Sequence, residues 1–246
     1  MREDLEDRVE ALIDTALEAP TASKRVAAAR KALKLKPDAV EACVILGLHM
    51  TNASERIALL REGARIGAAQ WAKEIEQPPK RFFWKEFETR AYMRAVYNLA
   101  LTLWACGDQI EAVRLADDLI RINPEDNLGC RFLGLAWHPV LGNWERVEAL
   151  LAEYEEERVE YAYARCLNTF RRRGDTVRDL ATALKLNSHV PGLLTGWPSR
   201  YDSDAMLVAP GSQEEAANYV EHNRDAWKAV PGAIAWLTDV AQRPRV

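Results

Sequence analysis

Residues 93–126 read MRAVYNLALTLWACGDQIEAVRLADDLIRINPED. Apolar residues recur at every third or fourth position in two runs, which is the spacing of an amphipathic helix. Gly107-Asp108 separates the two runs, and Asn123-Pro124 ends the second. The stretch therefore predicts two short antiparallel helices, which form one unit of a helical repeat. Because one such unit cannot bury its own apolar face, we expect further units to stack on it.

Similar helix pairs are predicted on both sides of this central unit. Before it, helices are expected at residues 3–18, 22–35, 38–51 and 55–67; after it, at about 144–156 and in a pair within 157–187. The ending ALKLKP at 32–37 has the spacing of LIRINP at 119–124. The predicted fold class is all-α, a right-handed α-solenoid of about five helix pairs.

Small residues recur at one position of these predicted pairs. Gly47 follows Leu46 as Ala100 follows Leu99 in the central unit. A small side chain there allows two helix backbones to approach closely.

An insertion at residues 67–92 interrupts the regular spacing of the pairs. Pro78-Pro79 breaks any helix there, and four aromatic residues follow: Phe82, Phe83, Trp84 and Phe87. Two interpretations stay open. The insertion packs its aromatic side chains onto the repeats, or it presents an exposed aromatic patch to a partner.

The C-terminal part differs in composition, so we divide the chain into a repeat domain at 1–187 and a C-terminal region at 188–246. Residues 188–211 are too rich in proline and glycine for a regular helix, yet too apolar for a flexible linker. We predict an extended segment that lies against the repeats. Its apolar residues are Val190, Leu193, Leu194, Trp197, Tyr201, Met206, Leu207 and Val208.

Two helices are predicted after this segment. Ser212 and Glu215 have the spacing of a capping box for a helix at about 213–229. Pro231 is expected to begin a last short helix, at its first position. These helices would cap the end of the stack, which otherwise exposes an apolar face.

Composition narrows the class of function. The net charge of −4 gives no reason to expect nucleic-acid binding. No apolar run approaches the roughly 18 residues of a membrane span. The N-terminal residues MREDLEDRVE lack the apolar core of a signal peptide. The sequence therefore predicts a cytoplasmic protein that binds neither nucleic acid nor membrane.

The chain carries no recognisable catalytic or metal motif. Its four cysteines, Cys43, Cys106, Cys130 and Cys166, are widely scattered and form no CxxC pair. The histidines form no HxxH or HExxH pattern, and no GxxxxGK[ST], GxGxxG or GxSxG is present. We predict a non-enzymatic protein without metal or cofactor, with its cysteines as small core residues in a reducing compartment.

The paired helices that end in ALKLKP and LIRINP resemble the tetratricopeptide repeat. The run FFWKEFETRAYMRAVYNLALTLWACGDQIEAVRLADDLIRINPEDNLGCRFL at 82–133 is similar to the core of the suppression-of-tumorigenicity-seven family and its bacterial relatives, which carry an ETRPYMRA motif. Ala91 replaces the proline of that motif here. The ending, from SHVPGLLTG to GAIAWL, also resembles the C-terminus of such bacterial proteins. The resemblance implies a repeat fold and a scaffolding role without enzyme activity.

In tetratricopeptide stacks the first helix of each pair lines a concave face, and this resemblance implies a set of peptide-binding positions. The implied residues are Arg94, Tyr97, Trp104, Arg131, His138, Arg158, Tyr161, Arg165 and Asn168. Arginine and tyrosine suit such contacts because they combine large area with directed donors. Alternatively, Arg94, Arg131 and Arg165 pair with acidic residues on adjacent helices or with residues 188–211.

Two functions remain open at this stage. The first is a scaffold that binds a peptide or protein segment in a concave groove. The second is a structural module whose groove is filled by residues 188–211 and which forms homo-oligomers through its convex or aromatic surface.

Overall fold

The structure, a computed structural model, describes residues 2–80, 82–174, 176–196 and 208–241. Within these ranges the chain forms fifteen helices and no strand, which confirms the all-α prediction. The chain divides into two compact units, Met1–Cys130 and Arg131–Val246, here called the N-terminal and C-terminal units. The two units therefore meet between residues 130 and 131, whereas the domain boundary predicted from the sequence lies between residues 187 and 188.

Eight helices form the N-terminal unit. They are α1 (Arg2–Glu18), α2 (Ala22–Leu35), α3 (Val40–His49), α4 (Ala53–Gln70), α5 (Ala72–Glu76), α6 (Phe82–Lys85), α7 (Thr89–Ala105) and α8 (Gln109–Ile122). The four helices predicted before the insertion correspond to α1 to α4. The side chain of Thr21 accepts a hydrogen bond from the Lys24 N–H and caps α2. The side chain of Asn52 accepts from the Glu55 N–H and caps α4.

Helices of the N-terminal unit pack in chain order. Helix α1 packs on α2, α2 packs on α3, and α3 packs on α4. Beyond the insertion, α4 packs on α7, and α7 packs on α8. The first helix of each pair also contacts the first helix of the next, α1 with α3 and α3 with α7. Alanines make up much of the core between α1, α2 and α3, so these helices lie close together.

Glycines on α3 and α4 allow the closest helix approaches. A Cβ atom at Gly47 would lie 2.9 Å from Cγ of Leu60 on α4. One at Gly67 would lie 2.7 Å from Cβ of Tyr92 on α7. The predicted close approach at Gly47 is confirmed, and Gly67 is a second such contact.

The insertion contains α5 and α6 and divides its aromatic side chains between core and surface. Phe83 is fully buried, with its ring 6.2 Å from that of Tyr92. Phe82 packs edge-on against Trp71 at 5.7 Å. Phe87 is 68% exposed. The packed interpretation therefore holds for Phe83, and the exposed one holds for Phe87.

Seven helices follow. They are α9 (Cys130–Trp137), α10 (Trp144–Glu153), α11 (Val159–Arg173), α12 (Val177–Leu186), α13 (Val190–Leu194), α14 (Gln213–Lys228) and α15 (Ala233–Ala241). Apart from its first residue, α9 belongs to the C-terminal unit. The core of this unit includes Tyr163 and Cys166 from α11 and Tyr219 and Trp227 from α14. The Trp227 Nε1–H donates to the Tyr219 hydroxyl at 2.8 Å, so the largest core side chain keeps its polar group bonded.

Residues 188–211 differ in part from the predicted extended segment. Val190–Leu194 forms the short helix α13, with Pro191 in its first turn. Proline is tolerated there because the first-turn N–H has no partner within the helix. Helix α13 packs on α14 and α15. The predicted contacts of Trp197, Tyr201, Met206 and Leu207 lie outside the described residues.

Asn187, at the C-terminal cap of α12, joins three elements of the C-terminal unit. Its side-chain amide donates to the Ser212 carbonyl at 2.8 Å and to the Glu215 carboxylate at 2.9 Å. Its side-chain oxygen accepts from the His189 N–H at 3.0 Å. The Tyr163 hydroxyl donates to its backbone carbonyl at 2.7 Å.

One of the two hydrogen bonds of the capping box that the sequence predicts for α14 is present, and the other is replaced by a bond to the preceding residue. The Glu215 N–H donates to the Ser212 hydroxyl at 3.1 Å. The Glu215 carboxylate in turn accepts from the Gly211 N–H at 2.8 Å. The last helix begins at Ala233, two residues after the predicted Pro231. A turn with Gly232 at φ +79° precedes it.

Candidate functional site

The predicted peptide-binding residues divide between the two units. Arg94, Tyr97 and Trp104 lie on α7 of the N-terminal unit, and the other six lie in the C-terminal unit. Each group is therefore described within its own unit.

Arg94 is held by an ion pair on the adjacent first helix. Its Nε donates to Oε2 of Glu41 on α3 at 3.2 Å, and its Nη2 donates to the same oxygen. The predicted alternative of internal pairing is confirmed for this residue. Tyr97 and Trp104 are half-buried. Burial, with smaller effects of Cys130 and Asp126, raises the pKa of the Tyr97 hydroxyl, so it stays a neutral donor at physiological pH.

Three of the predicted residues lie in the interior of the C-terminal unit. Tyr161 is fully buried, His138 is 1% exposed and Asn168 is 9% exposed. The Tyr161 ring packs edge-on against Phe132 at 6.0 Å. His138 belongs to the turn after α9, where its backbone carbonyl accepts from the Leu141 N–H at 3.1 Å. These side chains are not exposed to a peptide, so we remove them from the predicted contact set.

Arg131 is mostly buried in a cluster of aromatic and acidic side chains. Its Nη2 lies 2.8 Å from Oε1 of Glu156, and the Arg131 side chain is 14% exposed. Its guanidinium lies 4.3 Å from the ring centroid of Phe132 and 5.4 Å from that of Tyr154. Arg131 therefore stabilises the C-terminal unit, as the internal-pairing interpretation requires.

Arg158 and Arg165 are the two predicted residues of the C-terminal unit whose side chains are exposed. Arg158 precedes α11 as its N-terminal cap residue, and its guanidinium lies 5.0 Å from the Phe132 ring centroid. The Arg165 Nη2 donates to the Leu151 carbonyl on α10 at a long 3.4 Å. Both leave donors directed to solvent.

A third exposed arginine, Arg172, extends this arrangement along α11. Seven residues separate Arg158 from Arg165 and Arg165 from Arg172. Because seven residues make almost two full turns, Arg165 and Arg172 lie on one side of the helix, about 10.5 Å apart along its axis. We name Arg158, Arg165 and Arg172 the arginine face.

Arg172 is not among the residues predicted from the sequence. A run of three arginines at a helix end, Arg171 to Arg173, is already explained by its favourable interaction with the helix dipole. The seven-residue spacing was the signal in the sequence that distinguishes Arg172 from its two neighbours.

Acidic residues near the arginine face neutralise it only in part. Glu148 on α10 is shared between Arg171 at 3.4 Å and Arg172 at 3.5 Å, and is 42% exposed. Arg158 lies 3.4 Å from Glu160. Solvent-exposed pairs at such distances contribute little free energy. The arginines therefore remain available to acidic groups on another molecule.

Other potentially reactive side chains in the described parts of the chain include the buried thiol of Cys166 on α11. Burial, with a smaller contribution from Asp179 and opposed by a hydrogen bond with Thr176, raises the pKa of the Cys166 thiol to about 12, which suppresses its nucleophilic form. The described ranges contain no group of three or more His, Cys, Asp or Glu side chains placed to hold a metal ion. Of the helices described, none has the length and apolar character needed to cross a membrane.

No protein-family model matches the chain, and no curated protein matches it significantly.

Proposed function

We propose that this protein is a non-catalytic interaction scaffold that binds an acidic peptide or protein segment along the arginine face of α11. The observation that carries the proposal is the seven-residue spacing of three exposed arginines, of which Arg158 and Arg172 form only long ion pairs, at 3.4 and 3.5 Å. Guanidinium groups form directed, paired hydrogen bonds with carboxylates.

The spacing of the arginine face favours an extended ligand. Adjacent arginines are about 10.5 Å apart along the helix axis. A segment in the polyproline II conformation rises about 3.1 Å per residue with three residues per turn, so every third side chain lies on one face, about 9.3 Å from the next. A segment with an acidic residue at every third position therefore places one carboxylate opposite each guanidinium.

The architecture we propose is a right-handed α-solenoid of tetratricopeptide-like pairs, related to the suppression-of-tumorigenicity-seven family, with the arginine face in its concave groove. Support comes from the N-terminal unit, where α3 packs on α2, on its partner α4 and on the next first helix, α7. The free cysteines, three of them buried, support a cytoplasmic location.

Peptide binding to the full chain tests the proposal. A labelled extended peptide with glutamate at every third position is compared by fluorescence anisotropy with a peptide of the same composition whose glutamates are contiguous. We expect the periodic peptide to bind more tightly. Arg165→Glu should weaken binding at least about tenfold, because it replaces a charge-assisted hydrogen bond with repulsion.

A matched charge reversal provides the control. Lys31 is exposed on α2, so Lys31→Glu changes the net charge equally without touching the arginine face. It should leave peptide affinity within about twofold, since Lys31 is not part of the arginine face and salt screens a non-specific effect of net charge. Equal weakening by both variants would show non-specific attraction and overturn the proposal.

A second candidate function is an assembly module that associates through its aromatic surface. The exposed Phe87, with the Arg90 guanidinium 5.5 Å from its ring centroid, favours it. Light scattering over a range of protein concentrations separates the two candidates. A dimer that Phe87→Ser converts to monomer supports the assembly module, and a monomer at all concentrations excludes it.

A further inference from the structure

An open depression lies where α11 ends and α12 begins, with a volume of about 500 Å³. Its lining residues are Thr169, Arg172, Arg173, Thr176, Val177, Arg178 and Asp179. We name it the arginine pocket. Only Arg172 is shared with the arginine face, so the inference below does not depend on the proposed function.

Positive charge exceeds negative charge among the lining residues of the pocket. Three guanidiniums face one carboxylate, that of Asp179. This carboxylate already accepts a hydrogen bond from the Thr176 hydroxyl at 2.9 Å. Arg173 and Arg178 are exposed, and neither forms an ion pair with any residue in the described ranges, which exclude Asp175. The three guanidiniums and one carboxylate of the lining therefore sum to a formal charge of +2, and only Arg172 also faces an acidic residue outside the lining, Glu148.

Arg178 lies at a position that helix physics disfavours. Helix α12 begins at Val177, so Arg178 stands in its first turn, at the positive end of the helix dipole. Arg172 and Arg173 add two more cations to the same depression. A bound anion removes this unfavourable arrangement, because it is attracted both to the helix N-terminus and to the guanidiniums.

We propose that the arginine pocket binds a phosphate monoester dianion. A phosphate monoester carries a charge of about −1.5 to −2 at pH 7 and presents three acceptor oxygens. That charge matches the excess of the lining residues, and guanidinium forks bind phosphate oxygens in pairs. A single carboxylate satisfies only half of the excess charge.

The size of the pocket indicates that the phosphate arrives on a carrier. A volume of about 500 Å³ lies within the range typical of small-molecule sites and exceeds what one phosphate group fills. The hydroxyl of Thr169 lies on the same lining, where it offers a donor to a remaining oxygen or to the carrier.

The test uses the full-length protein labelled with ¹⁵N and the probe N-acetyl-O-phosphoserine amide. We expect the NMR chemical shifts of the backbone amides of residues 176–179 to change with probe concentration until they reach saturation. Arg173→Gln and Arg178→Gln should each weaken binding about tenfold, as expected for the loss of a charge-assisted contact. Arg171→Gln is the matched control, since Arg171 stacks on Trp144 and faces Glu148 outside the pocket; it should change affinity less than twofold.

The pH dependence of binding distinguishes the dianion from other anions. Affinity for the phosphoserine probe should rise as pH increases through about 6, where the monoester loses its second proton. Affinity for sulfate, tested in parallel, should show no such rise. The proposal is overturned if the affinity for sulfate rises with pH in the same way as the affinity for the phosphoserine probe. It is also overturned if the Arg178→Gln variant binds the probe as tightly as the wild-type protein.

Two further probes distinguish the sources of the phosphate. A nine-residue peptide with one central phosphoserine binds more tightly than the amide probe if the carrier is a protein segment. Equal affinity identifies a small phosphorylated molecule as the carrier. Both results support a phosphate monoester site, and failure of all phosphorylated probes to shift 176–179 overturns it.

Discussion

The Arg94 guanidinium on α7 donates two hydrogen bonds to a single carboxylate oxygen of Glu41 on α3. The Glu41 side chain is 14% exposed and that of Arg94 is 36% exposed. This pair therefore connects the first helices of two successive helix pairs in a partly dehydrated setting, where charged hydrogen bonds contribute more than at an open surface.

We expect Arg94→Ala to lower the free energy of unfolding by about 1–3 kcal/mol, because it leaves a mostly buried carboxylate without its partner. Chemical denaturation measures the change. The matched control is Arg65→Ala. Arg65 pairs with Glu62 at 2.7 Å, but both side chains are about half exposed or more, so the expected cost is much smaller than for Arg94→Ala. Equal costs for the two variants would contradict the assignment.

Gly67→Ala tests the close approach of α4 and α7. Its new Cβ would lie 2.7 Å from Cβ of Tyr92, and a Cβ atom cannot rotate away. We expect destabilisation of about 1–3 kcal/mol from overpacking, measured as a lower midpoint in urea. The control Ala69→Ser lies on the exposed side of α4 and should change stability by less than about 0.5 kcal/mol. An unchanged midpoint for Gly67→Ala would contradict this helix contact.

Asn187→Ala removes three side-chain hydrogen bonds that connect α12 with α13 and α14. Asn187 is 1% exposed, so solvent cannot readily replace them. We expect a loss of about 2–4 kcal/mol, given about 1 kcal/mol for each bond. Ser188→Ala, at an exposed neighbouring position, is the control and should be nearly neutral. Hydrogen exchange of the first α14 amides should rise in Asn187→Ala and not in Ser188→Ala.

Long helices with a regular apolar pattern could be predicted from the sequence, because burial of one face imposes the spacing. Helix α2 spans Ala22–Leu35, as the pattern predicts. The helices α5 (Ala72–Glu76), α6 (Phe82–Lys85) and α13 have four or five residues, which is too short for a periodic signal. Their formation depends on tertiary contacts such as the burial of Phe83.

The candidate site was less predictable than the fold. An arginine that pairs across helices, such as Arg131 with Glu156, has the same sequence pattern as an exposed one, such as Arg165. The partner lies outside the local sequence, so only the packed structure separates the two. The same limit on prediction applies to Tyr161. Its position in the repeat pattern predicts a side chain in the groove, but in the structure it is a core residue.

The cysteines provide a test of the packing that needs no partner molecule. Cys106 is exposed, whereas Cys43, Cys130 and Cys166 are buried. Burial, with a smaller effect of Glu62, raises the pKa of the Cys43 thiol to about 11, and that of Cys166 reaches about 12. A thiol-specific chromogenic reagent at pH 8 should therefore modify one thiol rapidly and all four after denaturation. The variant Cys106→Ser should show no rapid phase.

The same raised pKa values make stability fall at alkaline pH. Because the folded-state pKa of Cys166 lies above its ordinary value of 9.0, the unfolded chain releases this proton more readily. The stabilising contribution is complete below pH 9 and is lost as pH rises toward 12. We expect the free energy of unfolding to decrease across that window, and less steeply in Cys166→Ala, where this titration is absent. Identical slopes for the two proteins would contradict a buried, neutral Cys166.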